Sequence, residues 1–125
     1  MRNFAVLVVL LGVCFSSIAK ELYRHPSSGD AGSYYIISSE KDSDGRINVL
    51  SSRIGKGNAY TDFTQLRVDC VRMQYFEVAG GSEDGAKDKP SKPLRDWSRN
   101  SKWTTLVTGS SKSDLVHFVC KKLKN

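Results

Sequence analysis

The chain has 125 residues, a formal net charge of +6 and 39% hydrophobic residues, which allows one domain with a modest core and excludes anything larger. Beyond residue 19 no apolar run approaches the about 20 residues that a bilayer span needs, so no integral membrane segment is expected in the mature chain. The positive excess favours acidic partners, such as anionic glycans, lipid headgroups or acidic protein surfaces, without singling one out.

Met1-Arg2-Asn3 is a short cationic start, Phe4 to Phe15 is apolar, and Ser16-Ser17-Ile18-Ala19 supplies small residues for cleavage. Residues 1–19 are therefore expected to be a signal peptide, with the mature chain beginning at Lys20. The protein is then exported, to the periplasm or to the cell surface and beyond. Cys14 follows Leu11-Gly12-Val13, and valine is bulky where lipid attachment wants a small residue, so Cys14 reads as an ordinary apolar residue of the leader.

Residues 20–125 read as a single domain of short strands. Glu21–His25 is a first strand, closed by Pro26-Ser27-Ser28-Gly29-Asp30. Ser33–Ser39 and Arg46–Arg53 are rich in β-branched and aromatic residues, and Asp42-Ser43-Asp44-Gly45 between them makes a hairpin. Gly55-Lys56-Gly57-Asn58 turns the chain into Thr64–Val71, where Leu66, Val68 and Cys70 alternate with Arg67 and Asp69. Gln74–Ala79 is a further strand. Residues 80–96, with glycine, proline, lysine and acids but no apolar period, are expected to form an exposed mobile loop. Lys102–Val107 returns to the sheet.

The C-terminal segment is the one helix. Ser111 and Asp114 resemble a capping box, and Leu115, Val116, Phe118, Val119 and Leu123 form an apolar face with Leu115 and Val119 in the core. Lys121, Lys122 and Lys124 complement the helix dipole. Outside the leader only Cys70 and Cys120 remain, and two cysteines in an exported chain are expected to bond to each other. The fold class that follows is α+β: an antiparallel sheet of five to six strands with one C-terminal helix packed on it and held by a disulfide.

The chemistry-bearing patterns are few. His25 and His117 could act as the acid and base of a small secreted hydrolase or nuclease, but each sits where a solvated histidine is ordinary. The acids of Glu40 to Gly45 have calcium-loop spacing, yet the twelfth position is Ser51, where a bidentate acid is needed. No metal, cofactor or catalytic residue is expected. Lys87, Lys89, Lys92, Arg95, Trp97, Arg99 and Lys102 combine cations with an aromatic ring and form the candidate binding surface for a protein or acidic macromolecule. Export argues against nucleic acid.

Leu66-Arg67-Val68-Asp69-Cys70, Gln74-Tyr75-Phe76, Trp103-Thr104-Thr105-Leu106-Val107, Gly109-Ser110-Ser111 and Leu115 to Cys120 together resemble the surface-adhesin protein E family of bacterial exported proteins. The resemblance runs from about Tyr34 to Cys120. It implies an antiparallel sheet with a disulfide-fastened C-terminal helix, structural roles for Cys70, Cys120 and Trp103, binding of host matrix and serum proteins, and dimerisation. The function expected is thus non-enzymatic binding of a macromolecule, with a periplasmic inhibitor or immunity protein against an exported enzyme as the alternative.

Overall fold

The computed structural model describes residues 20–123. The expected signal peptide, Cys14 and Lys124 lie outside them. The strands are β1 (Glu21–Arg24), β2 (Ser33–Lys41), β3 (Ile47–Ile54), β4 (Tyr60–Asp69), β5 (Gln74–Asp84), β6 (Arg95–Asp96) and β7 (Thr104–Thr105), followed by helix α1 (Ser111–Lys122). They form one seven-stranded antiparallel sheet in the order β1-β2-β3-β4-β5-β6, with β7 also pairing β5. This is the α+β architecture that the alternating apolar runs predict.

Cross-strand pairing sorts the face that bears α1 into rows. Lys41, Ile47, Val68 and Tyr75 make one row, and Ser39, Val49, Leu66 and Glu77 the next. Ile47, Val49, Leu66 and Val68 pack with Ile36 against Leu115, Val116, Val119 and Cys120 to form the core. Burying side chains of this size contributes about 1.5–3 kcal/mol each. Cys70, the first residue after β4, is bonded to Cys120 with Cα atoms 5.5 Å apart, so the disulfide joins the β4–β5 turn to α1.

Helix capping differs from expectation by one residue. Ser110, not Ser111, is the N-cap, its hydroxyl accepting from Ser113 N at 3.1 Å. The chain before it turns at Gly109 with φ of 85°, which leaves Ser110 extended and in place to cap.

The expected loop at 80–96 is corrected at both ends. Gly80–Asp84 complete β5, Arg95 and Asp96 form β6, and only 85–94 lie between strands. That stretch is anchored. Thr61 Oγ1 donates to Gly85 O at 2.7 Å and accepts from Lys87 N at 2.9 Å, and Ser91 N donates to Glu83 at 2.8 Å. Asp88 pairs with Lys20 at 2.6 Å. The segment thus lies on the second face of the sheet, where Phe63 and Thr61 are 1% and 0% exposed. Apolar periodicity is missing from the end of β5 because a later segment supplies the packing there: a Cβ at Gly80 would strike Trp97, and Leu94 lies beside Gly81.

Two further expectations need correction. Lys102–Val107 contributes only the two residues of β7. Trp103, expected as a structural core residue, lies outside the core cluster beneath α1: it sits half-buried against Phe76 at a centroid distance of 5.7 Å, with Arg46 over its ring at 5.0 Å. Phe76 pairs with Arg67 across β4, which puts both on the face away from the helix. An aromatic residue beside a short edge strand finds that second face nearer than the filled core.

Candidate functional site

Beyond the core rows the helix leaves its own face of the sheet open. The boundary is marked by two bulges. Ile37 is the extra residue between Ile36 and Ser38 on β2, and Val78 is the extra residue between Glu77 and Ala79 on β5. Bulges bend a strand and re-aim its side chains. The row after them is Ile36, Ser51, Thr64 and Gly80, and the next is Tyr34, Arg53, Asp62 and Ser82, with Tyr60 following on β4. Apolar side chains give way here to aromatic and charged ones.

Arg53 organises this surface. Its Nη2 donates to Asp30 Oδ1 at 2.8 Å, its Nε to Tyr34 Oη at 3.1 Å, and its Nη1 to Tyr60 Oη. Tyr34 in turn donates to Asp30 Oδ2, and Gly32 N donates to Asp30 Oδ1 at 3.0 Å. Arg24 lies 5.5 Å from the Tyr34 ring and holds Asp114 of α1 at 3.0 Å, tying the cluster to the start of the helix. Arg53, Tyr60 and Trp97 each lie flat on a glycine: a Cβ added at Gly32, Gly55 or Gly80 would come within 2.5, 2.4 or 2.1 Å of them. The carbonyl of the bulge residue Val78 accepts from Trp97 N at 2.9 Å, so the irregularity in β5 is also what anchors the tryptophan.

Charges on this face are balanced. Asp62 accepts from Ser82 Oγ, and Asp62, Thr64, Glu77, Ser82 and Trp97 line an open depression of about 440 Å³. Lys112 in the first turn of α1 has its pKa lowered by burial, against the opposing pull of Glu77. Asp30 is held well below the usual carboxylate range by hydrogen bonds from Tyr34, then Arg53, then Gly32 N, while the same bond from Asp30 raises Arg53.

That shift carries a pH dependence. Because the folded-state pKa of Asp30 is depressed, its stabilisation is fully present above the unfolded value of about 3.9 and is lost as pH falls through the folded one. Asp30→Asn is therefore expected to melt lower than the parent at pH 7, with the gap narrowing in thermal melts taken below about pH 4. A gap independent of pH would show that the carboxylate charge is not what holds Arg53.

The candidate binding residues do not form one patch. Gly80 and Gly81 face opposite sides of β5, so Trp97 over Gly80 and Leu94 beside Gly81 lie on opposite faces. The chain crosses the sheet edge between them. Lys87, Lys89 and Lys92, all exposed, belong with the segment on the second face, Arg95 is on the edge strand, and exposed Arg99 follows Trp97. Lys102 lines a separate depression of about 210 Å³ with Tyr75 and Glu77. Of the seven, Trp97 alone borders the Asp62 depression. Asp30, Tyr34, Arg53, Tyr60 and Asp62 were not singled out from sequence; the glycines that seat Arg53, Tyr60 and Trp97 are the only local signal for them.

His25 and His117 are both exposed, and no hydrogen bond links them or gives them a common partner among the described residues. His117 Nδ1 is 2.8 Å from Ser113 O, a contact that requires the proton on Nδ1. The calcium-like acids are also committed. Asp42 Oδ1 accepts from Asp44 N and Arg46 N at 2.9 and 3.1 Å, and its other oxygen takes Arg67 at 2.8 Å, which is the bonding of a hairpin turn. Among the described residues no three His, Cys, Asp or Glu side chains gather as a metal site.

No protein-family profile, curated protein or solved structure matches the chain.

Proposed function

We propose that this chain is a small exported, non-enzymatic binding protein, adhesin-E-like, which recognises a macromolecular partner at the bacterial surface or in the periplasm. The observation that carries this reading is the open half of the helix-bearing face, where Arg53, Tyr34, Tyr60 and Trp97 are fixed by bonds or by glycine seats before any partner arrives. Tyrosine, tryptophan and arginine are the residue types that dominate binding energy at protein interfaces, and side chains already held lose little freedom on binding. Asp62 and Glu77 line the same depression, so the surface is mixed in charge and suits a protein better than a polyanion.

Binding is to be measured on immobilised extracellular-matrix and serum proteins, the class that the adhesin resemblance implies. Tyr60→Ala and Asp62→Arg are expected to weaken binding at least tenfold while melting temperatures stay within a few degrees of the parent. A combined Lys87→Ala, Lys89→Ala, Lys92→Ala variant should bind as the parent does. If the lysine variant loses binding and the Tyr60 and Asp62 variants keep it, the second face is the recognition surface and the proposal fails.

A further inference from the structure

We infer that the β4–β5 turn is a docking tip for an anionic lipid surface, separate from the open sheet face. The turn is Cys70 to Met73, and its apex residue Val71 is 94% exposed, more than any other large hydrophobic residue described. A turn apex ordinarily carries glycine, asparagine or aspartate. This one breaks that chemistry twice, since Met73 takes the left-handed conformation with φ of 53°. Met73 gains packing against the core. Val71 gains nothing within the fold.

The tip is rigid. Asp69 Oδ1 accepts from Val71 N and from Arg72 N at 3.0 Å each, and Cys70 at its base is bonded to Cys120. An exposed valine on such a support is presented outward and cannot fold back. Leu123, 38% exposed at the end of α1, stands across a depression of about 290 Å³ from Val71, with Lys41, Ile47 and the disulfide between them.

Cations surround this apolar point. Lys41 ends β2 on the helix side and Arg72 follows Val71, while Lys121 sits in the last turn of α1; all three are exposed and make no ion pair among the described residues. The acids nearby are engaged. Asp69 faces Arg46 at 3.8 Å, Asp44 lies 3.5 Å from Arg67, and Asp42 lies 2.8 Å from the same guanidinium. Glu40 is paired with Asn48 on the opposite face from Lys41. Asp44 and Asp69, each paired with an arginine, border the same rim as Lys41, Val71 and Arg72, so what remains to meet a partner is a protruding apolar residue beside three cations without ion pairs among the described residues. A protein partner would need a pocket shaped to Val71, whereas a headgroup layer admits a small apolar wedge anywhere and attracts each basic residue, by about fivefold in binding apiece.

The test is co-sedimentation of protein recovered from the periplasmic fraction of a host expressing the full chain. Vesicles of phosphatidylcholine alone are compared with vesicles in which a third is phosphatidylglycerol, at about 50 and 300 mM salt. Expected is binding to the anionic vesicles that weakens at high salt, falls at least tenfold in the Lys41→Glu, Arg72→Glu pair and at least threefold in Val71→Asp, and rises in Val71→Trp. Because Val71 and Arg72 make no core contact, these variants should melt with the parent. Equal binding to both vesicle types, or a Val71→Asp variant that binds as the parent does, overturns the inference. So does a tip that inhibits an exported hydrolase but leaves anionic vesicles alone.

Discussion

Reducing the Cys70–Cys120 bond with dithiothreitol will lower the melting temperature by about 20 °C, the largest effect that any single perturbation of this protein should have. The bond closes a loop across a sequence separation of 50. In the chain-entropy treatment, releasing a loop of that size costs about 4 kcal/mol, against a total of about 5–15 kcal/mol for a small domain. The effect concentrates on α1. At 12 residues the helix is too short to persist alone in water. Its remaining attachments include the buried faces of Leu115, Val116 and Val119, the packing of Phe118 against Tyr23, and two ion pairs, Arg24 to Asp114 and Lys122 to Glu21. Exposed pairs of this kind contribute little, so the buried contacts must hold the helix without help. Far-ultraviolet circular dichroism of a Cys70→Ser, Cys120→Ser variant should show helix loss preceding sheet loss on heating. Free thiols found at both Cys70 and Cys120 in the untreated protein would refute the stapled-helix arrangement.

How much of this could be read before the fold was known depends on where the side chains point. Ile47, Val49, Leu66 and Val68 face the helix at strict alternate positions, and Asp42 to Gly45 has the chemistry of a tight turn, so the central hairpins and the helix were legible. The end of β5 was not. Its inward positions at Gly80 and Gly81 are filled by Trp97 and Leu94 from a later segment, and a strand that borrows its packing has no apolar period of its own. The proposed binding face was hidden for a different reason. Asp30, Tyr34, Arg53, Tyr60 and Asp62 come from a turn and three strands, and the pairing register, shifted on β2 by the bulge at Ile37, is what sets Tyr34 beside Arg53 and Arg53 beside Asp62. The cations and tryptophan between Lys87 and Lys102, by contrast, looked like one patch, and the edge of the sheet separates Trp97 and Lys102 from Lys87, Lys89 and Lys92.

Gly80→Ala tests that borrowed packing, and its sign is the informative part. Gly80 does not have a positive φ, so on backbone grounds alone alanine should stabilise the strand by reducing the freedom of the unfolded chain. The packing argument says the reverse. A Cβ there would lie 2.1 Å from the six-membered ring of Trp97, so the indole must swing off the strand while its backbone stays tied by the Trp97 N to Val78 O bond and the β6 pairing beside it. Overpacking of this kind typically costs about 1–3 kcal/mol. Gly81→Ala is the control from the adjacent position, where the added Cβ would meet Leu94 at an ordinary 3.6 Å. In a Trp103→Phe background, so that Trp97 alone reports, Gly80→Ala should melt lower and shift the tryptophan emission to the red while Gly81→Ala does neither. If Gly80→Ala were as stable as its parent with unchanged emission, Trp97 would not be locked on the strand. The open face would then lose the one aromatic wall that the second half of the chain supplies. Partner binding should track the emission shift across the two variants, because a displaced Trp97 removes one wall of the depression lined by Asp62 and Glu77 and leaves the Arg53 cluster in place.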